Sequence, residues 1–265
     1  MTGEFSSTWL SLREPADADA RAADLVPVLR LETPLVIRDL GCGTGSLGRW
    51  LAPRLPGPQH WIMEDRDPAL LTRAAATMVR TAGDGSPVTV RTRQGDVTAL
   101  TAADLAGTSL VTCSALLDLL TADEVDGIAA ALAASGTPAL LTLSVVGAVT
   151  FDPPDELDGE VAAAFNEHQR RTTGGRRLLG PDAADAAAEI FAKHGARVTA
   201  RPSPWRLGPD RSALAAEWLR GWAGAAAEQR PDLPIVAYLR GRLGAAAAKA
   251  LTITVGHEDL LAEFV

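Results

Sequence analysis

The feature that most constrains this chain is an apolar run that ends in an acidic residue and continues directly into alternating glycines. Residues 36–40 predict a buried strand, Gly41, Gly43 and Gly45 predict a tight loop, and residues 46–51 predict the start of a helix. A helix N-terminus presents unpaired N–H groups, and glycines let the backbone approach a ligand closely. The stretch therefore predicts a strand–loop–helix unit that binds an anionic or adenosine-bearing ligand.

These glycines fit two kinds of cofactor loop. Residues 43–48 satisfy the dinucleotide pattern G-x-G-x-x-G, which alone is a weak signal. A Walker phosphate loop is excluded because the Gly-Lys-Ser/Thr ending is missing. Asp65 follows a second predicted strand and suits a ribose diol, which both kinds of cofactor carry. Two further acids separate the interpretations, since Asp39 stands ahead of the first glycine and Asp96 follows a third predicted strand.

With these acids in this order, Asp39-x-Gly41-x-Gly43-x-Gly45 resembles motif I of the class I S-adenosylmethionine-dependent methyltransferases. The resemblance covers residues 34–146, is looser over 180–200 and 250–256, and implies S-adenosylmethionine as the cofactor. It implies that the loop amides contact the methionine moiety, with Asp39 helping to hold its ammonium group. The cofactor-binding residues that we predict on this basis are Asp39, Gly41, Cys42, Gly43, Gly45, Asp65, Arg66, Asp96, Val97 and Cys113.

The resemblance also implies a role for each of the remaining cofactor residues. Asp65 would accept hydrogen bonds from the ribose hydroxyls. Asp96 would accept from the adenine amino group, and the N–H of Val97 would meet an adenine nitrogen. The carbonyl of Cys113, at the end of the fourth predicted strand, would accept from the ammonium group of the cofactor.

Strands and helices alternate along the chain in a rhythm typical of a parallel sheet. The strands are predicted at residues 35–40, 61–64, 88–92, 110–113, 139–146, 197–200 and 251–255. We predict an α/β fold, doubly wound, with a mainly parallel seven-stranded sheet and helices on both faces. The resemblance implies that the last strand is antiparallel.

We predict a single domain that carries additions on the substrate side. Residues 1–33 would form an N-terminal helical cap on the cofactor-binding core at 34–146, and residues 147–180 and 203–250 would form lid insertions. The helix of the cap is predicted to begin at Pro15 and to run towards residue 31, because a proline and nearby acids are typical of a helix start.

Ligands of open α/β sheets bind outside the carboxyl ends of the strands. This rule favours two catalytic residues, Asp118 after the fourth strand and His168 on a polar helix after the fifth, although both also suit structural roles. Methyl transfer is an in-line displacement, so a base is needed only when the nucleophile arrives protonated. His257 is expected at the opposite end of the sheet, as a surface or structural residue. The predicted substrate-binding residues are Phe5, Trp9, Asn166, Arg170 and Trp205.

Composition restricts the partners of the chain. Its 33 acidic and 25 basic residues give a net charge of −8, which opposes a nucleic-acid substrate because phosphate binding needs a basic surface. Two cysteines make no metal framework, and no signal segment or run of transmembrane length is present. We therefore predict a cytoplasmic monomer or homodimer that acts on a small molecule, without a metal, a nucleic acid or a membrane.

Three alternatives stay open. The same cofactor could serve cyclisation, lysis or aminocarboxypropyl transfer instead of methyl transfer. The same glycines could serve an NAD(P)-dependent oxidoreductase. The sheet could also belong to a non-catalytic protein that keeps it for binding.

Overall fold

The computed structural model describes residues 6–264, and one mixed sheet lies at its centre. The strands are β1 (Leu35–Leu40), β2 (Gln59–Asp65), β3 (Val88–Gln94), β4 (Leu110–Ser114), β5 (Ala139–Asp152), β6 (Thr172–Thr173), β7 (Arg176–Arg177), β8 (Ala196–Pro202), β9 (Trp205–Leu207) and β10 (Thr252–Phe264). The helices are α1 (Ser7–Ala20), α2 (Ser46–Leu51), α3 (Pro68–Thr77), α4 (Ala122–Ser135), α5 (Asp158–Gln169), α6 (Ala183–Lys193), α7 (Ser212–Gln229) and α8 (Ile235–Ala247).

The order of the strands in the sheet is β3-β2-β1-β4-β5-β10-β8, and β9 pairs with the free part of β10. Strands β1 to β5 pair in parallel, whereas β10 runs antiparallel to β5, β8 and β9. The predicted α/β fold, with a mainly parallel sheet and an antiparallel last strand, is confirmed. The short strand β9, which the sequence analysis did not predict, brings this sheet to eight strands.

The register of the strands defines a common edge at which β1, β2 and β4 end. Leu40 lies opposite both Glu64 and Cys113, and Cys113 lies opposite Leu141 in β5. Strand β5 continues past this edge, and β10 runs beside it through that whole extension, beginning opposite Asp152. Strand β5 ends at Asp152 and β10 at Phe264, so the predicted ends at residues 146 and 255 were wrong. The sheet thus projects beyond the edge that carries the glycine loop.

The N-terminal helix also differs from its prediction. Helix α1 begins at Ser7, where the side chain of Ser6 accepts a hydrogen bond from the Trp9 N–H at 3.2 Å, so Pro15 lies inside the helix. The helix ends at Ala20, and a separate turn of 3₁₀ helix follows over Ala23–Val28. A serine cap upstream of the proline thus sets the start of the helix, because its oxygen satisfies an N–H of the first turn.

Three apolar clusters hold these elements together. One packs α2 and α3 against one face of the sheet, and a second packs α4 and α6 against the other. The third lies beside the projecting part of β5 and β10 and joins α5, α7 and α8. At its centre Trp222 is buried, and its ring stacks on Trp218 with 5.2 Å between the centroids. The segments 147–180 and 203–250 therefore contribute to an apolar core of their own beyond the edge.

Candidate functional site

The glycine loop is a bare stretch of backbone between β1 and α2. The φ angles of Gly41, Gly43 and Gly45 are +63°, +55° and +81°, a region that disfavours residues with a side chain. A Cβ atom at Gly41 would also lie 2.8 Å from Cδ2 of Leu116. The Cys42 N–H donates to the carbonyl of Glu64 at 2.9 Å, which fixes the loop to the end of β2.

Asp65 contacts this loop directly. One of its carboxylate oxygens accepts from the Gly43 N–H at 2.9 Å, and the other accepts from the Asp67 N–H at 3.0 Å. Asp96 lies beyond the end of β3 and is exposed. It accepts from the N–H and the hydroxyl of Thr98, which lower the pKa of its carboxyl group. Val97, the next residue, is half-buried.

Asp39 is a buried acid with only one of its two oxygens satisfied. The residue is 1% exposed, and Oδ1 accepts from the Thr112 hydroxyl at 2.8 Å. Among the residues that the structure describes, no group donates to Oδ2. Burial raises the pKa of Asp39 to about 7, and the hydrogen bond from Thr112 only partly opposes this shift. A buried, unmatched carboxylate oxygen at a ligand site is suited to a donor on the ligand.

Arg21 also lies at this edge, and the sequence analysis did not predict it. The residue follows α1 and is 4% exposed, and its Nη2 lies 3.1 Å from the hydroxyl of Ser46 and 3.3 Å from that of Ser114. Its Nε and Nη1 atoms are buried and have no hydrogen-bond partner within residues 6–264. Nothing in the local sequence indicates this position, because it depends on the whole of α1 folding back onto the sheet.

Helix α1 lies directly over the glycine loop. Cδ1 of Leu10 is 3.3 Å from the point that a Cβ on Gly43 would occupy. Glu14 binds both Nε and Nη2 of Arg49 on α2, at 2.7 and 2.6 Å. These contacts make α1 a wall of the site, next to the loop that the sequence analysis assigned to the cofactor.

A cluster of aromatic and charged side chains continues from α1 towards the projecting strands. The rings of Trp9 and Trp205 lie 6.4 Å apart, and the guanidinium of Arg13 lies over the Trp205 ring at 4.8 Å. Trp205 is buried and donates from Nε1 to Asp17 at 2.9 Å. The structure thus brings together the predicted residues Trp9 and Trp205, and it adds Arg13 between them.

His257 belongs to this cluster, and the prediction of its position was wrong. It lies opposite Val145 in the pairing of β10 with β5, just beyond the common edge, and its ring lies 5.2 Å from that of Trp205. The antiparallel strand begins where predicted but continues from the predicted end at residue 255 to Phe264, so His257 lies within the strand, beside the edge, and not past its far end. Burial, assisted by the charge of Arg13, lowers the pKa of His257 to about 3, and its imidazole is therefore neutral near pH 7.

Asp118 lies in a turn of 3₁₀ helix directly after β4, on the predicted side of the sheet. It is half-buried, and burial raises the pKa of its carboxyl group, while the charge of Arg13 opposes this shift. A carboxyl group whose pKa is raised by its surroundings is a stronger base than an ordinary carboxylate, which makes Asp118 a candidate for proton transfer.

The predicted residues of α5, and Arg170 directly after it, contact α7, β5 and the turn before α6. Nε2 of His168 lies 2.9 Å from the carboxylate of Glu228 on α7, and Arg171 contacts the same ring. The side-chain amide of Asn166 donates to the Gly147 carbonyl at 2.9 Å. The guanidinium of Arg170 forms two hydrogen bonds of 2.6 Å with Asp182. No hydrogen bond or ion pair in the described residues links His168 to the glycine loop or to Asp118, and Phe5 lies outside the described residues.

Three further observations concern the chain as a whole. Cys42 and Cys113 are both buried and free. Within residues 6–264, no group of three or more His, Cys, Asp and Glu side chains could hold a metal ion. None of the helices in that range has the length and apolar character needed to cross a membrane.

Known proteins resemble this chain in sequence pattern and in fold. A family model described as a methyltransferase domain matches residues 37–138. The fold is similar to that of the cyclopropane synthase MmaA2 from Mycobacterium tuberculosis, with a TM-score of 0.52 and 14% identity over 98% of this chain and 95% of that one. A methyltransferase from Geobacter sulfurreducens in complex with S-adenosylhomocysteine is 18% identical, with a TM-score of 0.47 over 97% of this chain and 98% of that one. No curated protein matches the sequence.

Proposed function

Because residues 37–138 form a methyltransferase domain of the S-adenosylmethionine-dependent class I type, we propose that the chain transfers a methyl group to a nucleophilic atom of a small molecule. The observation that carries this proposal is the unmatched buried oxygen of Asp39 beside a loop of three glycines with positive φ. A ligand that places an ammonium group against this edge would satisfy that oxygen. S-adenosylmethionine has such a group, and when bound it supplies an activated methyl group on its sulfonium.

We assign the cofactor-binding roles to residues that surround this edge. Asp65 would bind the ribose hydroxyls, and its present bond to the Gly43 N–H holds the carboxylate beside the loop. Asp96 and Val97 would bind adenine beyond the end of β3. The carbonyl of Cys113 and the carboxylate of Asp39 would share the ammonium group.

Three features support a small-molecule acceptor. Helix α1 lies against the glycine loop and would cover a ligand bound there. The cluster of Trp9, Arg13 and Trp205 places aromatic rings beside the edge, with the Arg13 guanidinium paired to Asp17. The net charge of −8 disfavours a nucleic acid. In this proposal the N-terminal cap and the insertions at 147–180 and 203–250 form the lid over the acceptor.

Methyl transfer can be tested with a mixture of natural metabolites as the source of the acceptor. The protein is incubated with a deproteinised cell extract and S-adenosylmethionine that carries a trideuterated methyl group. We expect mass spectrometry to find a labelled small molecule together with S-adenosylhomocysteine, and the Asp65→Ala variant to yield neither. Tight binding of NADPH without binding of S-adenosylhomocysteine would reject the proposal, and methylthioadenosine as the main product would replace it with non-methylating chemistry.

Asp118 is the residue that we propose as the general base for an acceptor that arrives protonated. With the acceptor from that screen, we expect Asp118→Asn to reduce turnover by about 10²- to 10⁴-fold, because the amide cannot take up a proton. Calorimetry should find the affinity for S-adenosylhomocysteine unchanged. Asp123→Asn, at an exposed position on α4, is the matched control and should retain full turnover. Equal turnover in both variants would remove Asp118 from the reaction.

A further inference from the structure

We propose that Arg21 binds the α-carboxylate of the cofactor, so that the segment after α1 completes a site whose other residues lie in the matched domain. The inference rests on the proposed function, because it concerns the same cofactor. Arg21 lies outside residues 37–138, which the methyltransferase model matches.

Burial of the Arg21 side chain costs free energy. A guanidinium removed from water destabilises the fold unless anions or hydrogen-bond acceptors replace its hydration. Arg21 is 4% exposed, and its only side-chain acceptors within residues 6–264 are the neutral hydroxyls of Ser46 and Ser114. Two of its three nitrogen atoms have no acceptor in that range. The hydrogen-bonding capacity of the Arg21 guanidinium is therefore incompletely satisfied unless a further acceptor binds beside it.

No neighbouring acid forms an ion pair with Arg21 in the described part of the chain. Burial lowers the pKa of Arg21, and the charges of three nearby acids, Asp17, Asp259 and Asp39, oppose this shift. None of these acids forms an ion pair with Arg21 within 4 Å among residues 6–264. Asp17 binds Arg13 and Trp205 instead. The guanidinium thus keeps a positive charge that no described residue neutralises at contact distance.

Arg21 lies beside both the glycine loop and the end of β4. Ser46 is the first residue of α2, immediately after Gly45, and Ser114 follows Cys113 at the end of β4. The unmatched oxygen of Asp39 belongs to β1, the strand that leads into the glycine loop and pairs with β4. One unmatched cation and one unmatched anion at a single edge complement the carboxylate and the ammonium of an α-amino acid, which is the end group of S-adenosylmethionine.

Ligands that differ only at this end group provide the test. S-adenosylhomocysteine carries both the ammonium and the carboxylate, its decarboxylated analogue keeps only the ammonium, and methylthioadenosine lacks both. By calorimetry, we expect Arg21→Met to weaken S-adenosylhomocysteine about 10- to 100-fold, as for the loss of a charged hydrogen bond. The affinities for the other two ligands should stay within about twofold. Arg21→Lys should recover part of the loss, because it keeps the charge but not the planar donor geometry.

The control for this test is Arg54→Met. The guanidinium groups of Arg21 and Arg54 both lie over the Trp50 ring, at 5.7 and 4.4 Å from its centroid, but no described hydrogen bond joins Arg54 to Ser46 or Ser114. The control variant should leave all three affinities unchanged. An equal loss for all three ligands in Arg21→Met would overturn the inference and leave a structural role. If Arg21→Met does not fold, the same ligand comparison on Arg21→Lys decides. Unchanged binding of S-adenosylhomocysteine overturns the inference alone, whereas a wild-type protein that does not bind it overturns the proposed function as well.

Discussion

The Asp39→Asn variant is expected to be more stable than the wild type at about pH 8 and to bind S-adenosylhomocysteine about 10- to 100-fold more weakly. The pKa of Asp39 is raised from 3.8 to about 7, so its ionised form opposes folding. That difference corresponds to at most about 4 kcal/mol in the free energy of unfolding. Asparagine keeps an acceptor for the Thr112 hydroxyl but loses the charge that faces the ammonium group.

The stability of the wild type should depend on pH through the ionisation of Asp39. The pKa in the folded protein lies above the ordinary value, so the contribution of Asp39 to stability is fully present below about pH 4 and is lost as the pH rises through about 7. Denaturant titrations should find this loss in the wild type and not in the variant. The affinity of the wild type for S-adenosylhomocysteine should fall as the pH drops below about 7, because the carboxyl group must ionise to bind the ammonium. Parallel stability curves for the two proteins would contradict this account.

The Asp259→Ala variant is expected to lose about 2–5 kcal/mol of stability, the cost of leaving two or more buried donors without an acceptor. The buried carboxylate accepts from the Leu143 N–H at 2.7 Å, the Ala22 N–H at 2.8 Å and the Ser203 hydroxyl at 2.5 Å. It therefore joins the segment after α1 to β5 and to the turn before β9. Urea unfolding measures the loss as a shift of the midpoint.

The matched control for Asp259 is Asp24→Ala, also in the segment after α1. Asp24 pairs with Arg201 at 2.9 Å, but both side chains are largely exposed. An exposed ion pair contributes about 0–1 kcal/mol, so we expect a small change. Equal losses in the two variants would mean that the buried network around Asp259 has no special role in stability.

The part of the fold that the sequence predicted well is the parallel half of the sheet. Strands β1 to β4 are short, carry apolar residues and are bounded by glycines, prolines or acids, so local patterns suffice to place them. The glycine loop and Asp65 were predicted for the same reason, because residues close in sequence determine the turn. The roles of these residues towards the cofactor remain predictions that the binding experiments test.

The extension of β5 was missed because local signals conflicted. Gly147 and the sequence Asp152-Pro153-Pro154 are typical of turns, yet Val149 and Phe151 alternate with exposed residues as in a strand. Pairing with β10 decides in favour of the strand, and such long-range pairing is not visible in one segment. The end of β10 was underestimated in the same way, and this misplaced His257, which pairs with Val145 inside the strand.

Arg13 and Arg21 were missed for a different reason. Neither belongs to a motif, and each reaches the site only because α1 folds back over α2. The contacts that fix this arrangement join distant parts of the chain, such as Glu14 with Arg49 and Ala22 with Asp259. Local sequence patterns predict that this segment contains a helix, although not its bounds. They do not predict the surface against which the helix packs.

The continuous path of β5 and β10 determines how such a site can exchange its ligands. A hinge between the core and the acceptor side would have to bend two paired strands and break their backbone ladder. Lifting α1 breaks mainly side-chain contacts, such as those of Glu14 and Leu10, and leaves the sheet intact. The paired strands therefore make α1, and not the sheet, the element whose displacement would expose the glycine loop at the lower cost in broken contacts.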